Sequence, residues 1–149
     1  DTSNLTVSKS WGSQLNKKPP AESVLTEFER SLGTALPSQY KSFLAFINGG
    51  ALERETLYID EVEFTINFYY YLNNDINGEY SVWANYEAYK NCVGQRFLPF
   101  AEDPVGNQFL IDLGAEDCVV CFWDHEEDEI FELTPSLQVF LDSLVKTNP

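Results

Sequence analysis

FLPFAEDPVGNQFLIDLGAEDCVVCFWDHEEDEIFEL, residues Phe97 to Leu133, is a series of short apolar runs punctuated by turn-forming clusters. The runs are Phe97 to Ala101, Gln108 to Leu113, Cys118 to Asp124 and Ile130 to Leu133. Each has strand length and is rich in Phe, Leu, Ile, Val or Trp, the residues that fit a pleated, half-buried surface. Between them stand Asp103-Pro104-Val105-Gly106-Asn107, the segment Gly114 to Asp117, and the acidic loop after Asp124. Connections this short reach only a neighbour that runs the other way, because a parallel neighbour needs a crossover of a dozen or more residues. An antiparallel sheet is therefore expected at the centre of the fold.

The flanks add helices. After the last strand, Thr134 is a good N-cap with Pro135 at the first helical position, and Leu137, Phe140, Leu141 and Leu144 fall on one stripe. Ahead of the strands, Val82 to Asn91, with Trp83, Tyr86 and Tyr89, reads as a helix of about two to three turns. In Glu63 to Tyr71 the residues Phe64, Ile66, Phe68 and Tyr70 alternate with Thr65, Asn67, Tyr69 and Tyr71, the pattern of one half-buried strand. Asn77 and Gly78 mark a turn after it. Nearer the start, Val24, Leu25, Phe28 and Leu32 recur at helical spacing and end at Gly33. A second helix carries Tyr40, Phe43, Leu44 and Ile47 between Pro37-Ser38 and Asn48-Gly49-Gly50. Residues 1–20 read as an irregular arm and 21–149 as a single domain. The fold class is α+β, a central antiparallel sheet with helices packed against one side.

Composition agrees with one core: 149 residues, 44% hydrophobic and 15% aromatic, are enough to bury roughly 70% of the unfolded surface. The formal charge is −15, and between Arg96 and Lys146 there is no Lys or Arg while twelve carboxylates occur. Six of these lie close together: Asp124, Glu126, Glu127, Asp128, Glu129 and Glu132. Such a surface repels phosphates, so nucleic acid and anionic membranes are not expected partners, and a cationic protein is. The acid sits among Phe, Trp and Ile, unlike a disordered acidic tail. No apolar run has the length of a membrane span and the first twenty residues lack a signal-peptide core. A cytoplasmic location is the expectation, unless a leader preceded Asp1.

The cysteines, Cys92, Cys118 and Cys121, are odd in number and give no disulfide framework. Cys118 and Cys121 form a C-x-x-C beside His125, but residues three apart on a strand face opposite ways, so buried apolar roles are expected and no metal. A glycosidase-like pair of Asp103 with Asp112 or Glu126 is conceivable, yet no spacing singles one out. No nucleophile signature surrounds the cysteines, and the lone histidine is His125. The run Asn73, Asn74, Asp75, Asn77, Gly78, Glu79 lacks the full spacing of a calcium loop. No catalytic residue, metal or cofactor is assigned.

In their order, three pieces resemble the SUKH superfamily, the Smi/Knr-like domains. These are LG-x-x-LP-x-x-YK-x-FL with the following NGG within Glu22 to Gly50, the D-P-x-G-N turn at Asp103, and FWDHE from Phe122. The resemblance runs from about Glu22 to Leu144 and leaves Leu57 to Asn91 without a matching motif, so specificity for a partner is expected there. It implies an immunity protein of the toxin–antitoxin or contact-dependent inhibition kind, which binds a cognate toxin domain, often a nuclease. The other classes are a regulatory interaction scaffold, as in the yeast cell-wall regulators, and a hydrolase using paired carboxylates. As partner-binding residues the reading selects Tyr69 and Tyr71, on the strand face opposite Phe64, Ile66 and Phe68, together with Asp124, Glu126, Glu127, Asp128 and Glu129.

Overall fold

The computed structural model describes residues 2–8 and 16–147. Its elements are α1 (Glu22–Leu32), α2 (Ser38–Phe46), β1 (Arg54–Ile59), β2 (Val62–Thr65), β3 (Phe68–Tyr69) and α3 (Val82–Val93). They continue through β4 (Phe97–Glu102), β5 (Gln108–Asp112), β6 (Val120–Asp124), β7 (Glu129–Thr134), α4 (Leu137–Asp142) and β8 (Val145–Lys146).

α1 buries Phe28 and stops at Gly33, whose φ of 76° is left-handed and whose N–H donates to the carbonyls of Glu29 and Arg30. Only glycine takes that conformation without a cost of about 1–2 kcal/mol. α2 follows, buries Tyr40, Phe43 and Leu44, and ends at Ile47, which is extended. The next residue, Asn48, is buried and ties three segments together. Its Nδ2 donates to the carbonyls of Lys18 (2.8 Å) and Leu72 (2.9 Å), and its Oδ1 accepts from the Leu72 N–H (2.7 Å). The described parts of the N-terminal arm are held in the same way, through the bridges Val7 to Leu52 and Lys17 to Asn48. The remainder of that arm, residues 1 and 9–15, lies outside the described residues.

Two antiparallel sheets form, a five-stranded one in the order β3-β4-β5-β6-β7 and a three-stranded one in the order β2-β1-β8. The four strands from Phe97 to Thr134 fall where the sequence places them, and the meander needs only short turns, whereas β8 is not among the expected strands and the last helix ends at Asp142, short of Leu144. One face of the large sheet presents Leu98, Phe100, Phe109, Ile111, Val120 and Phe122 to the main core. There Phe140 of α4 meets both Phe100 (5.6 Å) and Phe109 (5.8 Å). The small sheet closes the same core, with Phe64 of β2 edge-on to Phe122 at 5.0 Å.

Several expectations change. Glu63 to Tyr71 is not one strand: the chain leaves the small sheet at Ile66, whose N–H bonds Glu55, and joins the large one at Asn67, whose N–H bonds Glu102. Core lies on both sides of this crossing, so every apolar residue in it is buried and the alternation does not separate inside from outside. Thr134 is not the cap of the last helix. It pairs with Val120 as the end of β7, and Ser136 caps α4 by accepting from the Val139 N–H at 3.1 Å. The helices are also not confined to one side. The opposite face of the large sheet, Leu110, Cys121 and Trp123, packs with Val93 and Tyr89 of α3.

Candidate partner-binding site

The large sheet ends in two adjoining turns. In the β4–β5 turn, Asp103 Oδ1 accepts from the N–H groups of Val105 (3.0 Å) and Asn107 (2.8 Å), and its Oδ2 accepts from Asn107 Nδ2 (3.0 Å). An Asp whose carboxylate captures amides just ahead of it folds a turn locally, which is what the D-P-x-G-N string provides. In the β6–β7 turn Asp124 does the same, accepting from Glu126 (3.1 Å) and Glu127 (3.2 Å). Asn107 joins the two: its Oδ1 accepts from the His125 N–H (3.1 Å) and lies 2.6 Å from His125 Nδ1. Trp123, buried under Tyr89 at 5.5 Å, donates through Nε1 to Asp128 Oδ1 (3.0 Å). Asp128 also takes a φ of 53°, a conformation that Asp tolerates better than most residues. The FWDHE string thus builds a hairpin end, and the carboxylates exposed there are Glu126, Glu127, Asp128 and Glu129, of which Asp128 is tied to Trp123.

β7 leads away from this turn along the sheet margin. Glu129, Ile130, Phe131 and Glu132 are all exposed, Ile130 by 37% and Phe131 by 42%. The Phe131 ring is backed by Phe122 at 5.6 Å and by Phe64 at 6.1 Å. Val62, on the same face of β2 as Phe64, is 55% exposed and carries the apolar strip outward. Sequence reasoning missed Ile130 and Phe131 because their pattern is that of any strand. What exposes them is the place of β7 in the sheet order, and no local signal carries that.

The two tyrosines selected from the sequence are not on this surface. Tyr69 is 1% exposed and sits between Phe43 (5.0 Å) and Phe100 (6.2 Å). Tyr71 is 6% exposed and donates to Asp75 Oδ2 at 3.0 Å. Its hydroxyl is pushed up to about 12 by burial and by that carboxylate, and the Lys17 ammonium stands 5.2 Å from its ring. Both are core because residues 68–71 are covered on both sides, by α2 and the sheet on one and by the arm and the 73–80 loop on the other. Asp75 in turn belongs to a polar turn, its N–H bonded to Asn73 Oδ1 at 2.8 Å.

Among the groups considered for catalysis, Asp103 and Glu126 stand on adjoining turns, but the Asp103 carboxylate is taken up by amides of its own turn. Asp103 precedes β5 and Asp112 ends it, so they occupy opposite ends of that strand. Arg96 grips Asp112 with two bonds of 2.6 Å, and this contact holds the Asp112 carboxyl below its ordinary value against the opposing effect of burial. Cys118 belongs to the main core and Cys121 to the opposite face. Burial pushes both thiols up to about 11, so neither is an activated nucleophile. Among the described residues no three His, Cys, Asp or Glu side chains are grouped to hold a metal ion, and no helix is long and apolar enough to cross a membrane.

Fold and site together define an α+β domain, with two antiparallel sheets and four helices among the described residues and a carboxylate-rich end next to an exposed strand. The chain belongs to the SMI1 / KNR4 family (SUKH-1), whose pattern matches residues 19–143. It is also similar to the SPbeta prophage-derived uncharacterized protein YokK of Bacillus subtilis (strain 168). The two are 28% identical over 145 residues, an alignment that covers 81% of this chain and 72% of the relative.

Proposed function

We propose that this protein is an immunity protein that binds and neutralises a cationic toxin domain, foremost a basic nuclease, through the carboxylate end of its large sheet. The observation that carries this reading is the joined pair of turns. Asn107 locks the Asp103 turn to the Asp124 turn, so Glu126, Glu127 and Glu129 project from a rigid base in a stretch without Lys or Arg. A nuclease holds phosphates with basic side chains, and an acidic inhibitor meets the same side chains. Family membership supports the reading, and a prophage-derived relative is in keeping with a role in conflict between cells. The action is cytoplasmic and stoichiometric, by binding and not by turnover.

The test is recovery of the tagged protein from its native cells at low and at high salt, followed by co-expression with whatever is recovered. One basic domain, toxic alone and harmless with this protein, is the expected result. Several unrelated housekeeping proteins would instead favour a regulatory scaffold, and a toxin that kills despite tight binding would remove the immunity role.

A further inference from the structure

β7 is a free margin of the five-stranded sheet: β6 pairs one side, and no strand among the described residues pairs the other. A strand in this position turns alternate peptide N–H and C=O groups outward, a template for another strand. Folded proteins usually blunt such a margin with charged side chains, lysine above all, with proline or with a bulge, and here the charges are the carboxylates of Glu129 and Glu132, which a cationic strand would neutralise. Glu129–Thr134 contains neither lysine nor proline, and its register with β6 slips only at the far end, opposite Val120/Cys121. Glu129 to Glu132 is therefore an unbroken ladder, exposed on its outer side.

The chemistry of the missing strand follows from that segment. Side chains alternate, so Glu129 and Phe131 share one face of β7 while Ile130 and Glu132 share the other. Each face offers one carboxylate and one apolar group. A complementary strand would carry a cation, two apolar residues and a cation in succession. A second copy of this chain is a poor occupant, because antiparallel self-pairing that matches the apolar residues would set Glu129 of each copy opposite Glu132 of the other, a like-charge pair on each face of the sheet. The neighbouring Arg96 is committed to Asp112.

We propose that β7 is an extension strand: a partner segment of cation-apolar-apolar-cation pattern adds to it as a further strand of the large sheet, with Phe131 and Ile130 as the apolar anchors. The inference rests on the reading that the chain binds a basic protein, and it names how that protein is held. The first test needs no toxin. The probe is a capped peptide of three Lys-Val-Val repeats, compared with a Lys-Pro-Val counterpart of equal charge that cannot complete a ladder. Amide exchange over Glu129 to Leu133 reads the result. The Lys-Val-Val peptide is expected to slow alternate amides, those facing away from β6, and the proline peptide to leave them unchanged. Glu129→Lys with Glu132→Lys is expected to weaken binding about tenfold or more by reversing two cross-strand charge pairs. Equal effects of both peptides, protection elsewhere, or slowing that grows with protein concentration without peptide would overturn the proposal. If a toxin is neutralised and these amides stay unprotected in that complex, the docking mode fails and the immunity reading stands.

Discussion

The hydroxyls of Tyr40 and Tyr69 are buried without a hydrogen-bond partner among the described residues, and both phenols are pushed far above their ordinary pKa by burial. A buried donor left unpaired carries a desolvation penalty of about 1–3 kcal/mol. Tyr69→Phe removes the penalty and keeps the ring between Phe43 and Phe100, so urea unfolding should show unchanged or higher stability, by up to about 1–2 kcal/mol. Tyr69→Ala should lose about 3–5 kcal/mol, as for other large aromatic truncations in a core. A stable Tyr69→Ala variant that binds its partner poorly would return this residue to the interface. The sequence carried the identity of these tyrosines but not their surroundings. Tyrosine is amphipathic, and a Tyr-x-Tyr face is equally consistent with a docking surface and with a second core layer. Asn48 is a contrasting case, where the NGG string is visible in sequence but its reason, a side chain bonded to Lys18 and Leu72, exists only once distant segments meet.

Among the elements, the β4–β5–β6–β7 meander is the part most fully legible in the sequence, because its turns are made by local chemistry: Asp103 and Asp124 each capture the amides next to them. The split between β2 and β3 was not legible, since it depends on Glu55 and Glu102 as acceptors in two different sheets. The end of the meander away from the acidic turns is held by the clasp between Arg96, just before β4, and Asp112, at the end of β5. It makes a pH prediction. The Asp112 carboxyl is lowered in the folded protein, so its contribution is fully present above the ordinary carboxylate value and is lost as pH falls through the lowered one. Acid titration of unfolding free energy should show this loss in the wild type. In Asp112→Asn the corresponding part of the slope should be missing, with lower stability at neutral pH. Arg96 is largely exposed, so solvent screens the pair and the effect should be modest. An identical acid slope in both proteins would mean that the clasp contributes nothing.

At the scale of the whole molecule, charge is distributed unevenly along the chain, and the fold preserves the imbalance in space. The cations Arg30, Lys41 and Lys90 pair with Glu27, Glu29 and Glu87 on or beside α1, α2 and α3, which leaves the Glu126, Glu127 and Glu129 end uncompensated by these pairs. A field of this kind acts at a distance, raising the rate of encounter with a basic partner, whereas the grip depends on desolvated contacts. The two contributions are separable by kinetics. Replacing Glu126, Glu127 and Glu129 together by Gln should lower the association rate with a cationic toxin by about tenfold at low salt and flatten its salt dependence. The dissociation rate should change less. Phe131→Ala should do the reverse, leaving association nearly unchanged and speeding dissociation by about tenfold or more, as expected for a central apolar anchor. The two sets of residues are adjacent, so a combined variant need not be additive. If the Gln variant instead dissociates faster at an unchanged association rate, the carboxylates are themselves buried in the contact. The partner would then sit over the turn and not along the strand.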